Sequence, residues 1–269
     1  MSDDTALLAG LQRAGAEAFP GFRLRAVATT SSTQDVVRAA AREGAQPGFS
    51  CLAAAQSAGR GRQDRQWIAT AGSALLCSVL VRVDQGLLGG VPLAAGLAVR
   101  AAIAATSGYQ ARLKWPNDIL GDNLKLAGVL CELEPLAAGG SAAGADAAVA
   151  VGVGVNLRVA EFPAGVPGVS LHTLCAEPPP PATLFGAFLA ELADRLDRLK
   201  RSGSAELHRE WLEHATGIGE TVTVQSGAGS VSGVAEGLDD DGALLVRTRG
   251  GVVRLLAGDV HIGLGGRPR

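Results

Sequence analysis

The run AGRGRQDRQW at residues 58–67 brings Arg60, Arg62 and Arg65 close together, with a glycine on each side of Arg60 and Trp67 at the end. A guanidinium pairs with phosphate or carboxylate in two-point fashion and stays charged at any working pH. Flanking glycines let the backbone come close to a ligand. The segment therefore reads in two ways: a lid that orders around an anion, or an exposed basic turn with Trp67 as ordinary core. It matches neither common phosphate motif, since it lacks the Gly-Lys-Ser/Thr ending of a P-loop and the third glycine of the dinucleotide fingerprint.

Three further stretches carry chemistry. In LKWPNDILGDNLKLAG (113–128), Pro116 breaks a strand after Lys114 and leaves Asn117 and Asp118 on a turn. That turn suits a ribose, a phosphate or magnesium, or is a plain turn. Lys125 enters an apolar strand shortly before Gly128, which calls for a counter-charge or a route to water. In VGVGVN (151–156), strand alternation puts Gly152 and Gly154 on one face. Glycine weakens a strand, so either a flat ligand or a tightly packed helix is expected there. Finally, SST (31–33) precedes a helix, as a cap or as hydroxyls that bind a small polar head.

The elements that position these residues follow from periodicity. Helices are expected at 3–19, 31–43, 91–107, 183–201 and 204–215, and strands at 22–28, 49–56, 74–83, 111–115, 125–134 and 148–159. Residues 137–147 read as a flexible surface connection and EPPPPAT (177–183) as a stiff linker. From 216 to 263 short strands alternate with Gly and Asp clusters, which suggests a small β-barrel. Two domains are expected, 1–215 of mixed helix and strand and 216–269 all-β.

Composition narrows the field. A net charge of −2 and a pI near 6.1 argue against general affinity for nucleic acid or anionic membrane. Cys51, Cys77, Cys131 and Cys175 are too scattered for a zinc site or a disulfide framework, and the histidines do not cluster. No signal peptide and no uninterrupted apolar run of membrane-spanning length are read, so the expectation is a reduced, soluble, cytoplasmic protein.

Taken in order, Ser-Thr-Gln at 32–34, Gln56 with AGRGRQDRQW, KWPND at 114–118, KLAG at 125–128 and GVGVN at 152–156 resemble the biotin–protein ligases. The resemblance is close over 22–160. It implies a mixed sheet flanked by helices, of the class II aminoacyl-tRNA-synthetase-like type, followed by a small barrel like a Src-homology-3 domain. It implies activation of biotin with ATP and Mg²⁺ to biotinyl-5′-adenylate, then transfer to one lysine of a carboxylase's biotin carrier domain. Carried over by motif, Ser32, Thr33, Gln34 and Gln56 would contact the ureido ring. Arg60, Gly61 and Arg62 would fold over biotin and the adenylate phosphate, with Trp67 lining the pocket. Gly128, Gly152 and Gly154 would give floor space, and Lys125 would sit at the carboxylate and reacting phosphate. Arg65, Lys114, Asn117, Asp118 and Asn156 would border ATP, with Asn117 and Asp118 near its magnesium. Arg60 and Lys125 would be the catalytic pair. A monomer or weak homodimer without nucleic-acid partners is expected, because no helix-turn-helix segment precedes the first strand.

The chain departs from the family pattern at Gln34, where Asn is frequent, and at Asp64, where Gly is usual. The alternatives are a lipoate–protein ligase and a non-enzymatic module in which the arginines grip an anion or nucleic acid.

Overall fold

The computed structural model describes residues 2–63, 65–134, 146–163, 165–226 and 229–262, with side chains from residue 10 onward. Its centre is a seven-stranded sheet. The strands are β1 (Arg23–Thr30), β2 (Phe49–Gln56), β3 (Ala74–Asp84), β4 (Arg112–Lys114), β5 (Asp118–Gly121), β6 (Leu124–Glu134) and β7 (Asp146–Asn156). They lie in the order β1-β2-β3-β7-β6-β5-β4, with β1 and β2 parallel and every other neighbour antiparallel.

The composition of β7 explains why the two faces differ. Val149, Val151, Val153 and Val155 point to one face and join the main core. That face is covered by α3 (Gly90–Ser107), α4 (Pro181–Ser202) and α5 (Ala205–His214), with α1 (Ser2–Ala18) against α4. Ala148, Ala150, Gly152, Gly154 and Asn156 point to the other face. There only α2 (Thr33–Arg42) packs, burying Val37 and Ala41 against Cys51, Leu80, Ala148 and Ala150. Large residues toward the helices and small ones opposite leave half of that second face for a site.

The helix α3 is long and apolar enough by composition to cross a bilayer, although Arg100 interrupts the run. Its place is the centre of the protein, with Leu93, Leu97, Ala98 and Ile103 at 2% exposure or less. Helix α2 is fastened to β6 by Glu134, a buried carboxylate that accepts from Arg38 and from Arg42 Nε at 2.9 Å. Burial pushes the Glu134 pKa up, but the two guanidiniums outweigh it and hold it below its ordinary value of 4.5. A depressed carboxylate stabilises the fold above its unfolded pKa, and that contribution is lost as pH falls through the folded one. The melting temperature should therefore drop below about pH 4.5, and Glu134→Gln should flatten that drop; an unchanged acid profile in the variant would contradict the assignment.

The remaining strands, β8 (Thr221–Ser226), β9 (Gly229–Leu238), β10 (Leu244–Thr248), β11 (Gly251–Leu255) and β12 (Asp259–Ile262), form an antiparallel sheet in the order β11-β10-β9-β8-β12. The expected barrel is a five-stranded sheet, with no ladder between its end strands among the described residues. The run GVVRLLAGDV (251–260) holds parts of two strands, β11 and β12, divided at Leu256–Gly258. Gly258 has φ of 158° and its missing Cβ would lie 2.5 Å from Val224, so the chain turns tightly there.

One strand escaped sequence reading. The segment between 115 and 125 is a hairpin, with β5 after a cis Trp115–Pro116 bond. Asp122 and Asn123 make its turn at φ of 48° and 65°, a conformation these short polar side chains tolerate. The expected connection at 137–147 falls largely on 135–145, outside the described residues.

Candidate active site

Three elements meet over the glycine-bearing half of the sheet: the start of α2, the 58–67 loop and the β4–β6 strands. Sheet register lines up Lys114, Asp118, Gly128 and Gly154 across β4, β5, β6 and β7 on one face. The next rung toward α2 pairs Leu130 with Gly152, and the one after it Glu132 with Ala150.

The glycines serve side chains of the protein itself. A Cβ on Gly154 would sit 2.5 Å from Trp67 Cε2, and one on Gly128 would sit 3.2 Å from Trp67 Cζ3. The indole therefore lies flat on this floor. A Cβ on Gly152 would come 2.9 Å from Gln34 Cδ, so Gln34 occupies the adjoining rung. Trp67 and Gln34 are thus neighbours about 7 Å apart along β7. Each presents one buried polar atom without a protein partner, Trp67 Nε1 and Gln34 Oε1. Unpaired buried polar atoms are costly, and a cluster of them calls for an explanation.

At the α2 end, Ser32, Thr33 and Gln34 are all buried. Gln56 Oε1 accepts from Thr33 N at 2.7 Å and from Thr33 Oγ1 at 3.1 Å, and Thr33 Oγ1 meets Ser78 Oγ at 2.8 Å. Ser32 makes no side-chain capping bond, so its hydroxyl is left for other use.

At the opposite end, Lys125 Nζ lies 2.5 Å from Asp118 Oδ1 and 5.8 Å from the Trp67 ring centroid. Asp118 is the counter-charge the apolar strand requires. Arg62 NH1 reaches Asn117 Oδ1 at 3.4 Å, and Asn117 Nδ2 is anchored on the Val129 carbonyl at 2.8 Å. Burial lowers the Lys114 pKa; Asp118 opposes this, while Lys125 and Arg65 push it further down. Arg62 is lowered likewise by burial, with Asp118 against and Arg65 adding to it. Arg62, Arg65, Lys114 and Lys125 thus form a basic cluster. Among the described residues, the carboxylates ion-paired within it are Asp118 and Asp259. The cluster carries excess positive charge and suits a polyanion. For magnesium, no three metal-binding side chains gather among the described residues. Asp118 and Asn117 would suit an ion that takes most of its ligands from phosphate and water.

The loop differs from the strap of repelling charges that its sequence suggests. Its backbone closes on itself through Gly61 N–Arg65 O at 2.7 Å and Trp67 N–Gly59 O at 2.9 Å. Gly59, rather than Gly61, is the sterically demanding glycine, with its missing Cβ 2.6 Å from Trp67 O. Arg60 is held by Asp35 at 2.5 Å and by Glu132 at 3.1 Å. Burial lowers its pKa, but these two bonds outweigh burial and leave it raised. Arg65 pairs outward with Asp259 of β12, tying the loop to the second sheet. Asp64 lies outside the described residues.

Asn156 spends its amide on the carbonyls of Lys125 at 3.3 Å and Val169 at 3.2 Å, so here it braces the Lys125 strand. Arg60 and Lys125 sit at opposite ends of one face, with Trp67 and Gln34 between them, and carboxylates hold both cations. Sequence reading missed Asp35, Ser78, Glu132 and Asp259. The signal for Glu132 and Glu134 was their alternation in CELE, which puts two carboxylates on the α2 face of a buried sheet. A cavity of about 890 Å³ lies at the far end of the sheet, lined by Phe19, Pro47, Arg82, Asp84 and Asp146, away from all of these groups.

Residues 26–156 match the Biotin/lipoate A/B protein ligase family, and residues 217–263 the biotin protein ligase C-terminal domain. A biotin--[acetyl-CoA-carboxylase] ligase of Mycobacterium tuberculosis is 35% identical over 249 residues, 89% of each chain. The chain belongs to the biotin protein ligase family. A ligase of the same description from Paracoccus denitrificans is 34% identical over 221 residues, covering 79% of this ligase and 89% of that one. Among solved structures, the biotin protein ligase from Aquifex aeolicus in complex with biotin and ATP superposes with a TM-score of 0.74 at 25% identity, covering 90% of this chain and 98% of that one. The mixed sheet with its helices and the second antiparallel sheet are the fold of this family.

Proposed function

We propose that this ligase activates biotin with MgATP as biotinyl-5′-adenylate and passes the biotinyl group to one lysine of a biotin carboxyl carrier domain. The observation that carries the residue assignment is the pairing of an aromatic floor with an ammonium group. Trp67 lies on Gly128 and Gly154, with the Lys125 ammonium over its ring at 5.8 Å from the centroid. An apolar chain that ends in a carboxylate fits that arrangement, with its polar head toward Ser32, Thr33, Gln34 and Gln56.

The first step joins a carboxylate oxygen to the α-phosphorus and breaks the bond to pyrophosphate. Both reactants are anions, so cations must offset their repulsion. One charge pair at about 4 Å is worth roughly 4 kcal/mol at an effective dielectric of 20. In this reading Lys125 bridges carboxylate and α-phosphate, with Arg62 and Lys114 beside the outgoing pyrophosphate; their clustering about Asp118 supports it. Asn117 and Asp118 would hold the magnesium that accompanies ATP, which would supply neutralising charge to the leaving group. No strong base is needed, because the nucleophile is already ionised. In the second step the carrier lysine's amine attacks the acyl carbon and AMP leaves. The substrate anions take over cations that Asp118, Asp35 and Glu132 hold in the free chain. Arg65 would then exchange Asp259 for phosphate and close the loop, excluding water from the reactive adenylate. We assign the catalytic part to residues 1–215 and the small sheet to 216–269.

Incubation with biotin, MgATP and a carrier domain should add one biotinyl mass to a single carrier lysine. No biotin-dependent shift, or transfer of lipoate in its place, would reject the proposal.

A further inference from the structure

A residue that sequence reading did not single out sits at the junction of the site. Glu132 projects from β6 on the same face as Gly128, and its Oε2 accepts from Gln34 Nε2 at 3.0 Å and from Arg60 NH2 at 3.1 Å. Its Oε1 accepts from Arg38 NH1 at 3.2 Å. One carboxylate thus joins the pocket-facing amide of α2, the arginine of the loop and the body of α2.

The consequence for Gln34 is directional. Its Nε2 faces the Leu130 carbonyl at 3.1 Å and the Ala150 carbonyl at 3.2 Å as well as Glu132. All three partners are acceptors, so turning the amide over would set oxygen against oxygen three times. The amide is therefore locked with Oε1 away from them. That oxygen is buried, unpaired and beside Gly152, while Gln34 as a whole is only 4% exposed. A shorter Asn at this position would fall about one methylene, or 1.5 Å, short of the strand acceptors.

We propose that Glu132 is a positioning and specificity residue of the ligase: together with the Leu130 and Ala150 carbonyls it fixes the Gln34 amide so that Oε1 presents an acceptor to an N–H of the ligand, while parking Arg60 over the same end of the pocket. This rests on the ligase reading above. A ureido ring supplies such an N–H; a dithiolane ring, as in lipoate, does not. Glu132 thereby favours the ureido ligand without touching it.

The test uses full-length enzyme in the carrier-independent, biotin-dependent ATP–pyrophosphate exchange. Glu132→Gln keeps the size of the side chain but offers either an oxygen or an amide to Gln34. It should raise the KM for biotin by about tenfold or more, as expected when a hydrogen bond to a charged group is lost. Because Asp35 still holds Arg60, the KM for ATP and kcat should change less than the KM for biotin, the pattern of lost ground-state binding, and inhibition by lipoate should not change. Gln34→Ala alone should raise the biotin KM similarly, and Gln34→Ala with Glu132→Gln should cost little more than either alone, because both remove one acceptor. Parallel rises in both KM values, fully additive effects, or a biotin KM unchanged in a variant that melts like wild type would overturn the proposal. Should Glu132→Gln fail to fold, Glu132→Asp, which keeps the charge but withdraws it by about one methylene, or 1.5 Å, carries the same expectation. Wild type without biotin-dependent exchange would instead sink the ligase reading, and this proposal with it.

Discussion

Lys125→Ala should lower biotin-dependent ATP–pyrophosphate exchange by about 10²- to 10³-fold, the cost of one well-placed charge donor in a transition state. The ammonium is paired with Asp118 at 2.5 Å and lies over the Trp67 indole, 5.8 Å from the ring centroid. A carboxylate and a phosphate converging there would find a cation already fixed in place, so little of its effect is lost to reorganisation. The KM for biotin should rise less than kcat falls, because the charge develops its full value only when the two anions are pressed together. Exchange close to the wild-type rate in a folded variant would remove Lys125 from the reaction. Fold is checked independently, since the side chain is one-third exposed and its removal opens no core cavity.

Gly154→Val should lower the same exchange by about 10², or about 2.7 kcal/mol of transition-state stabilisation, while leaving the melting temperature nearly unchanged. Valine suits a strand better than glycine does. The opposing residues in β3 and β6 are Leu76 and Gly128, so backbone pairing is not disturbed. The steric conflict is with Trp67, whose ring atom would lie 2.5 Å from the first added carbon. Because Trp67 is carried by a loop, it will yield, and the apolar wall of the pocket goes with it. Measuring exchange and thermal stability on one preparation separates the outcomes. Wild-type exchange would show that the indole position is irrelevant, and a collapse of stability would show that Gly154 is there for the fold.

Much of this was legible in the residues because the strands are regular. The alternation in AVAVGVGVN marks a sheet with one bulky and one bare face, and the helix and strand spans around it follow from period alone. The hairpin at Asp122–Asn123 was hidden because its turn uses neither Asn-Gly nor Asp-Gly, and β5 has only four residues. What the sequence concealed at the site was which group answers which. Arg60 looked free to grip an anion, yet Asp35 lies in the next helix and Glu132 is 72 positions away. Charge pairing across a sheet depends on register, and register is not written locally. At Gly152 and Gly154 the residues suggest a flat ligand or a tightly packed helix, whereas the groups lying on them in the free chain are Gln34 and Trp67. Asn156 likewise reads as a ligand contact until its amide is found on two backbone carbonyls.

The two sheets share one buried interior. Val222, Val224, Leu244 and Val246 belong to the same apolar cluster as α3 and β7, and the Trp115 indole donates to the Gly242 carbonyl at 3.0 Å. Through Asp259, the late strand β12 also grips the arginine loop. Heat that loosens the late strands will loosen the arginine loop with them, so the part we propose for that loop in turnover is coupled to the durability of the second sheet.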